Sequence, residues 1–379
     1  MANYSGVWSL EAQLQAVAAG NWTGIPVPAL FAWGVGSTGR LGLGNTTSYS
    51  SPKQVGSLTN WSQVGGGWIF TTSIKTDGTL WTWGFNDVGQ LGLGNVTTYS
   101  SPKQVGALTT WSAISSGYNF SIAIKTDGTL WSWGGNGSGR LGLNNLTNYS
   151  SPKQVGALTN WLKVSCGYGF SIAVKTDSTL WSWGQNGFGQ LGIGNTTYYS
   201  SPRQVGALTT WLTAASGANS TVVIKTDGTL WAWGAGDFGK LGLGNTTSYS
   251  SPKQVGALTT WLTIASGRYH TLATKTDGTL WSWGYNPYGQ LGLGNTTYRS
   301  SPNQVGALTN WLKIGAGFYH SVAIKTDGTL WSWGQNSSGQ LGLGNTTYYS
   351  SPKQVGALAT WSSIAGANYM TMAIQTSTT

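Results

Sequence analysis

The acidic side chains of this chain are few, and their spacing keeps them apart. Nine of its 379 residues are Asp or Glu, and charged residues of both signs make up 7% of the total. Acid–base catalysis needs two or more such groups that converge on one substrate. Because the sequence also shows no phosphate loop and no nucleophile elbow, we expect a protein that is not an enzyme. Six of the nine acids recur at intervals of fifty residues, at Asp77, Asp127, Asp177, Asp227, Asp277 and Asp327.

The remaining candidates for chemistry are two histidines and one cysteine. His270 and His320 are fifty residues apart, so they occupy equivalent places in neighbouring repeats. Two imidazoles without a third ligand or a nearby carboxylate make a weak metal site, and we predict a framework role for both. Cys166 has no partner for an internal disulfide and is predicted to fill buried space. The sequence therefore predicts neither a metal nor a cofactor.

The fifty-residue interval runs through almost the whole chain. A W-x-W-G pattern occurs in six periods, with Phe31-Ala32-Trp33-Gly34 as a decayed seventh copy, and a Ser-Pro pair recurs in all seven, which indicates a closed or stacked array of similar units. Residues 351–379 supply the first part of a seventh period and residues 30–50 supply the rest. The ends therefore complete one another, and we predict an all-β propeller over 30–379 whose last blade is closed by both termini, preceded by an N-terminal arm over 1–29.

Each period divides into four predicted strands separated by glycine or polar turns. The Asp-Gly pair between the second and third strands predicts a type I′ hairpin turn. Trp81 and Trp83, two residues apart, are expected on one face of the third strand, where they wedge against the next blade. In the period beginning at residue 51 the predicted strands are Trp61 to Gly65, Phe70 to Lys75, Leu80 to Trp83 and Tyr99 to Val105.

Two motifs resemble those of the regulator of chromosome condensation repeat family. One is Trp-Ser-Trp-Gly-x-Asn-x-x-Gly-Gln-Leu-Gly-x-Gly-Asn at 331–345, and the other is Gly-x-x-His-Ser/Thr at 267–271 and 317–321. The resemblance implies seven four-stranded antiparallel blades. Family members serve as exchange factors for a small GTPase, chromatin binders, ultraviolet sensors and inhibitors, so the resemblance alone does not give a function. No period carries an insertion that could act as an exchange wedge, so an exchange factor is a lesser alternative, as is a chromatin binder.

The repeats differ mainly in two of their loops. In a blade of antiparallel strands, the loop between the first and second strands and the loop between the third and fourth emerge on the same face. Variation on one face predicts a binding surface, because Tyr, Asn and Gly give rigid contact area and adaptable hydrogen bonds. Exposed turns that drift freely are the alternative. The candidate binding residues are Trp68, Phe85, Asp87, Tyr118, Asn119, Tyr168, Phe188, Asn219, Asp237, Phe238, Arg268, Tyr269, Tyr285, Tyr288, Phe318 and Tyr319.

The net charge of +10 has a structural explanation in the repeats. The turn lysines, such as Lys75, lie two residues from a turn aspartate, and their charges largely cancel. The others, such as Lys103, stand next to proline in the predicted fourth strand, where they protect a blade edge from pairing with other chains. A basic rim that touches nucleic acid or anionic lipid is the alternative, and we expect no nucleic acid partner. No apolar run is long enough to enter a membrane.

The arm is the part that the ring does not need. Ser9 to Ala19 can form a short helix, and Ser5 to Trp22 resembles the opening of predicted structural proteins of marine bacteriophages. This resemblance implies a virion anchor that contacts viral structural proteins. The leading hypothesis is a non-enzymatic display propeller on a virion or tail that reads a host surface or glycan; a cytoplasmic protein-binding module or inhibitor, without a secretory signal, is the alternative. The candidate anchor residues are Trp8, Leu10, Leu14, Val17 and Trp22.

Overall fold

Every repeat forms its four strands close to the predicted positions. The computed structural model describes residues 28–376, so the predicted arm helix and the anchor residues Trp8, Leu10, Leu14, Val17 and Trp22 lie outside the described residues. Two short 3₁₀ turns, Ser37–Gly39 and Asp237–Gly239, interrupt the loops. The strands in chain order are β1 Ala29–Gly34, β2 Tyr49–Gln54, β3 Trp61–Gly66, β4 Phe70–Lys75, β5 Leu80–Gly84, β6 Tyr99–Gln104, β7 Trp111–Ser116, β8 Phe120–Lys125, β9 Leu130–Gly134, β10 Tyr149–Gln154, β11 Trp161–Cys166, β12 Phe170–Lys175, β13 Leu180–Gly184, β14 Tyr199–Gln204, β15 Trp211–Ser216, β16 Ser220–Lys225, β17 Leu230–Gly234, β18 Tyr249–Gln254, β19 Trp261–Ser266, β20 His270–Lys275, β21 Leu280–Gly284, β22 Arg299–Gln304, β23 Trp311–Ala316, β24 His320–Lys325, β25 Leu330–Gly334, β26 Tyr349–Gln354, β27 Trp361–Gly366 and β28 Met370–Gln375.

The strands pair into seven antiparallel four-stranded sheets, the blades of a propeller. Blade 1 is β3–β6, and blades 2 to 6 follow in groups of four strands up to β26. Blade 7 joins the two ends of the chain in the order β27-β28-β1-β2, with Ala29 opposite Gln375 and Gly34 opposite Met370. Six backbone pairs along β1 and β28 close the ring, which confirms the predicted closure by both termini.

The hairpin turn between the second and third strands differs from the prediction. In blade 1 the Gly78 amide donates to the Lys75 carbonyl, the Lys75 amide donates to the Thr79 carbonyl, and only Gly78 among the turn residues has a positive φ, at 77°. A type I′ turn needs positive φ at two central residues, so the predicted type was wrong. The loop is a type I turn followed by one left-handed residue. Ser178 takes that position in blade 3 with φ 60°.

A repeated pair of hydrogen bonds joins each blade to its neighbour. The Trp83 indole N–H and the Thr71 hydroxyl of blade 1 both donate to the backbone carbonyl of Arg40 in blade 7, over 3.0 Å and 2.8 Å. Trp83 is fully buried. It packs against the preceding blade, blade 7, whereas the sequence predicted contact with the next blade. Each such bond contributes about 1 kcal/mol net, and the buried indole contributes more through its apolar area. The same carbonyl position accepts from a Trp in the six other blades, at Gln90, Arg140, Gln190, Lys240, Gln290 and Gln340.

The basic side chains lie on aromatic rings of the frame. The ammonium of the turn residue Lys125 is 3.7 Å from the ring centre of Trp131, and Lys103 of the outermost strand β6 is 5.3 Å from that of Tyr99. Cation–π contacts of this kind retain the charge while they cover apolar surface. The positive charge is therefore distributed around the rim of the ring. The described residues contain no helix that is long and apolar enough to cross a membrane.

Candidate binding face

The two variable loops of each blade meet on the same face, as the strand directions predict. Tyr269 belongs to the first loop of blade 5, and its ring centre lies 5.7 Å from Phe238 in the third loop of blade 4. It also lies 5.5 Å from Tyr285 in the third loop of its own blade. These contacts cross both a blade junction and a loop boundary. The candidate residues therefore share one surface, and most of the aromatic ones among them fall into two clusters.

The first cluster, here called the mouth cluster, closes one end of the central channel and consists of Trp68, Tyr118, Tyr168, Arg268 and Phe318. The Trp68 indole contacts the rings of three other blades, with Tyr118 at 4.5 Å, Tyr168 at 5.4 Å and Phe318 at 4.6 Å between ring centres. Tyr118 and Tyr168 stack on each other at 4.3 Å. All five residues occupy the same position in their repeats. In the two remaining blades this position holds a smaller side chain: Ala218 in blade 4, next to Arg268, and Asn368 in blade 7, next to Phe318.

A cavity of about 310 Å³ lies beneath the mouth cluster. The innermost strands form its wall with small residues such as Gly66, Ser116 and Ser216, so the channel stays open along its axis. Cys166 also lies in this wall, where its thiol reaches the carbonyl oxygen of Ser115 at 3.5 Å. Burial raises the pKa of the Cys166 thiol to about 12, so it stays protonated and unreactive.

Arg268 stands out within the mouth cluster because its charge has no anionic partner. Its guanidinium carbon lies 5.4 Å from the ring centre of Trp68, 4.9 Å from Tyr269 and 5.0 Å from Phe318. The one ion pair within residues 28–376 joins Lys240 to Asp237 at 2.7 Å, and no described residue accepts a hydrogen bond from Arg268. The aromatic faces attract the cation without using its N–H groups. The five N–H donors of the Arg268 guanidinium therefore have no acceptor among the described residues.

The second cluster, here called the tyrosine ridge, runs along the same face over blades 4 to 7. Tyr285 lies at its centre, 4.6 Å from Phe238 and 5.1 Å from Tyr298. Tyr288 bridges to Tyr319 at 5.2 Å and to Tyr348 at 5.7 Å. No comparable chain of ring contacts occurs among the described loops of blades 1 to 3 outside the mouth cluster. The ridge consists of Phe238, Tyr269, Tyr285, Tyr288, Tyr298, Tyr319, Tyr348 and Tyr369.

Three phenols of the ridge, those of Tyr285, Tyr319 and Tyr369, have raised pKa values and remain hydrogen-bond donors at physiological pH. Partial burial raises the pKa of Tyr319 to about 12, and neighbouring phenols add to this effect against the opposing charge of Arg268. Burial is also the main cause that raises the pKa values of Tyr168, Tyr285 and Tyr369. A neutral phenol both donates and accepts one or more hydrogen bonds. The face therefore offers flat apolar area together with neutral polar groups.

Three of the ridge residues were missed in the sequence. Tyr298 and Tyr348 lie at the far end of the third loop, and Tyr369 follows Asn368 in the first loop of blade 7. A signal existed, because Tyr198, Tyr298 and Tyr348 occupy one position of the repeat where other copies have Ser, Thr or Asn. Tyr198 is as exposed as Tyr298, at 50% against 46%, but makes no ring contact. Repeat position alone therefore does not decide membership of the ridge.

Several predicted candidates support the loops instead of joining a cluster. Asn119 accepts a hydrogen bond of 2.8 Å from the half-buried Arg140, and the Asp87 carboxylate accepts one of 3.1 Å from Gln90. Asp237 holds the buried Lys240, whose pKa is lowered by burial even though the carboxylate opposes the change. Asn219 lies half-buried beside Ala218. Phe85 is half-buried and Phe188 is 49% exposed, and neither makes a ring contact with a described residue.

Both histidines are buried parts of the frame. The Ser321 hydroxyl donates to the Gln290 carbonyl at 2.7 Å, so it can only accept from His270, whose Nε2 is 2.9 Å away. His320 meets the Thr371 hydroxyl in the same way at 2.9 Å. Each imidazole therefore carries its proton on Nε2 and links two blades. Burial lowers the pKa of both to about 3. Within residues 28–376, no three His, Cys, Asp or Glu side chains cluster in a way that could hold a metal.

The repeats of this chain match two models of one known repeat family. Seven segments match the Regulator of chromosome condensation (RCC1) repeat, and five stretches also match a second form of the same repeat, the first of them 111–140. One sequence repeat covers the outer two strands of one blade and the inner two of the next. No curated protein sequence matches the chain significantly. The seven segments are residues 29–74, 77–124, 127–174, 177–224, 227–274, 277–324 and 327–374.

Solved structures with the same architecture are similar over nearly the whole chain. Prp20p from Saccharomyces cerevisiae is 21% identical, with a TM-score of 0.83 over 94% of this chain and 93% of that one. Human WBSCR16 is 20% identical, with a TM-score of 0.83 over 92% of this chain and 100% of that one. Yeast RCC1 (Prp20) bound to Kap60 is 21% identical, with a TM-score of 0.82 over 93% and 90%. At these identities the likeness shows the fold alone.

Proposed function

Because the chain belongs to the family of proteins built from regulator of chromosome condensation (RCC1) repeats, we propose that it is a non-catalytic binding propeller that recognises a protein partner through the tyrosine ridge. The observation that carries this proposal is the unbroken chain of ring contacts from Phe238 to Tyr369 on one sector of the loop face. The frame beneath it is copied from blade to blade. The ridge is not, and it is the largest departure from the repeat.

The chemistry of the ridge suits a protein interface. Tyr, Trp and Arg are enriched among the residues that dominate protein binding energy, because they combine large area with few rotatable bonds. The ridge rings already hold one another in place, so little side-chain entropy is lost on binding. The only described carboxylate at the ridge, Asp237, is bound by Lys240. The ridge residues themselves are Phe and Tyr, with the cation of Arg268 at one border, and a partner with an apolar and hydrogen-bonding surface fits them better than a strongly charged one.

The solved relatives supply a precedent for protein partners. The structure of Prp20p was described with its binding to Gsp1p and histones, and the yeast RCC1 structure contains bound Kap60. We carry over only the general use of such a propeller as a binding platform. An exchange reaction on a small GTPase is not part of the proposal, because the chain has no insertion in any of its seven periods.

A matched pair of tyrosines tests the proposal. Tagged wild-type protein, Tyr298→Ala and Tyr198→Ala are used to capture partners from cells of the organism that encodes the chain, and the co-purified proteins are quantified. Both tyrosines hold the same repeat position with nearly equal exposure, and only Tyr298 belongs to the ridge. We expect a partner that is reduced at least tenfold with Tyr298→Ala and unchanged with Tyr198→Ala. Equal recovery with all three proteins would refute a role for the ridge.

A second candidate is recognition of a host surface or glycan by a virion component. Its support is the resemblance of residues 5–22 to phage structural proteins. A glycan array probed with wild type, Tyr298→Ala and Tyr198→Ala separates this ligand class from a protein partner. Deletion of residues 2–24 tests the anchor, because a folded ring should then fail to enter the particle. Unaltered incorporation would refute the virion assignment.

A further inference from the structure

The mouth cluster contains an unused charge at the edge of an open cavity. Arg268 is half-buried among the rings of Trp68, Tyr269 and Phe318, and its guanidinium has no carboxylate partner among the described residues. Removing part of the hydration of a cation without supplying a counter-ion is unfavourable. A bound anion would supply that counter-ion. The carboxylate of Asp237, in the third loop of the neighbouring blade 4, is already held by Lys240 at 2.7 Å.

The lid over the cavity has a gap next to this cation. Blades 1, 2, 3 and 6 place aromatic residues at the mouth, blade 5 places Arg268 and blade 7 places Asn368. Blade 4, between Tyr168 and Arg268, places only Ala218, which also lines the cavity. A small molecule that enters here meets the guanidinium on one side and the Tyr168 ring on the other. The volume of about 310 Å³ beneath exceeds the ~150 Å³ that accommodates benzene in an engineered cavity.

Backbone donors at the gap are also unused. The amides of Trp68, Tyr168 and Phe318 donate across to a neighbouring blade, at 3.3, 3.1 and 3.3 Å. The amides of Ala218 and Arg268 donate to no described residue. An anion at the gap can therefore accept from the guanidinium fork and from main-chain N–H groups. A planar carboxylate matches the fork geometry of arginine in two parallel hydrogen bonds.

We propose that the gap between Tyr168 and Arg268 binds a small aromatic carboxylate, whose carboxylate pairs with the Arg268 guanidinium and whose ring lies among the aromatic residues of the mouth cluster. The proposal deepens the proposed function by adding a ligand site at the edge of the ridge, and it rests on the same loop face. The ridge can bind a protein whether or not this site is occupied, because the two clusters have no residue in common and touch only at their border, where Arg268 contacts Tyr269 and Phe318 contacts Tyr319.

The test uses benzoate as the probe and benzamide as its neutral counterpart, measured by isothermal titration at constant ionic strength. Wild-type protein is expected to bind benzoate with a Kd on the order of 1 mM, which is typical of so small a ligand. Arg268→Gln should weaken benzoate at least tenfold, and benzamide should bind wild type at least tenfold more weakly than benzoate does. Arg203→Gln is the control, because Arg203 lies on the outermost strand over Tyr199. It removes the same charge and should change nothing.

A second variant keeps the inference testable if Arg268→Gln fails to fold. Ala218→Phe fills the gap with a side chain that already occurs at the mouth in Phe318, and it leaves Arg268 in place. We expect it to abolish benzoate binding. Equal affinity of benzoate for wild type and for Ala218→Phe would overturn the site. So would the absence of binding to wild type at a benzoate concentration 20 times the expected Kd of about 1 mM. Phosphate that competes as well as benzoate would overturn the aromatic part of the proposal. None of these results depends on capture of a protein partner by the ridge.

Discussion

Replacement of both histidines by phenylalanine should remove much of the acid sensitivity of this fold. The native state keeps His270 and His320 neutral because burial lowers their pKa values from 6.5 to about 3. In the unfolded chain both imidazoles bind protons as the pH falls through about 6.5. Protonation therefore stabilises the unfolded state, and the free energy of unfolding falls as the pH is lowered from about 7 toward 3.

The size of this effect follows from the two pKa values. A pH of 5 is about 1.5 units below the pKa of an imidazole in the unfolded chain, and each unit changes the free energy of unfolding by about 1.4 kcal/mol. Each histidine therefore costs about 2 kcal/mol between pH 7 and pH 5, and the pair costs about 4 kcal/mol. The turn aspartates do not obscure the result. Hydrogen bonds from Thr79 lower the pKa of Asp77 below 3.8, so the stability it contributes is lost only as the pH falls below about 4.

The assay is urea unfolding followed by fluorescence at pH 7 and pH 5, for wild type and for His270→Phe/His320→Phe. Phenylalanine is a conservative choice because Phe70, Phe120 and Phe170 fill the same repeat position in blades 1 to 3. Ser321 keeps its donation to the Gln290 carbonyl in the variant. The free energy of unfolding of wild type should drop by about 4 kcal/mol more than that of the variant. An equal drop in both proteins would show that the imidazoles are not held neutral.

Three further outcomes follow from the frame. Trp283→Phe and Thr271→Val each remove one donor to the Lys240 carbonyl, and together they leave it without a described donor, so the double variant should lose about 1–3 kcal/mol more than the sum of the single losses in urea unfolding. Gly256 has a φ of 63° and nothing within 4 Å of an added Cβ, so Gly256→Ala should lower the free energy of unfolding by about 1–2 kcal/mol. Gly242→Ala should lower it by at least about 1–3 kcal/mol more, because its Cβ would lie 2.8 Å from Trp283 Nε1. Equal losses in the two variants would contradict this packing. Cys166 should react with a thiol reagent at pH 8 on the order of a thousand times more slowly in the native protein than in urea, since burial raises its pKa to about 12, and comparable rates would show that the channel wall opens freely.

The frame of this molecule could be predicted because the sequence pattern of each strand recurs seven times. Glycine or polar turns separate the strands, with Asp-Gly in five of the copies, and the complementary ends fix closure through β1 and β28. The turn type could not be predicted, because Asp-Gly is compatible both with a type I′ turn and with a type I turn followed by a left-handed glycine. The observed φ of Gly78 and the Gly78 to Lys75 hydrogen bond select the second.

The candidate binding face could be predicted only in part from the sequence. A repeat shows which positions vary, but not how far each position lies from the propeller axis. Trp68, Phe85 and Phe188 were therefore equal candidates, although Trp68 contacts Phe318 of blade 6 while the two phenylalanines make no described ring contact. The chain of contacts through Tyr348 and Tyr369 depends on loops from three blades that converge. Such proximity is set by the curvature of the closed ring, which no single repeat contains.

Tyrosine footprinting of the complex tests the central claim most directly. The protein is labelled by hydroxyl radicals alone and after capture of its partner from the organism that encodes it, and the oxidation of each tyrosine is measured by mass spectrometry. The account predicts protection of Tyr285, Tyr288, Tyr298 and Tyr348, with Tyr198 oxidised equally in both states because it lies outside the ridge at the same repeat position. Protection of Tyr198 together with unchanged labelling of the ridge tyrosines would contradict it.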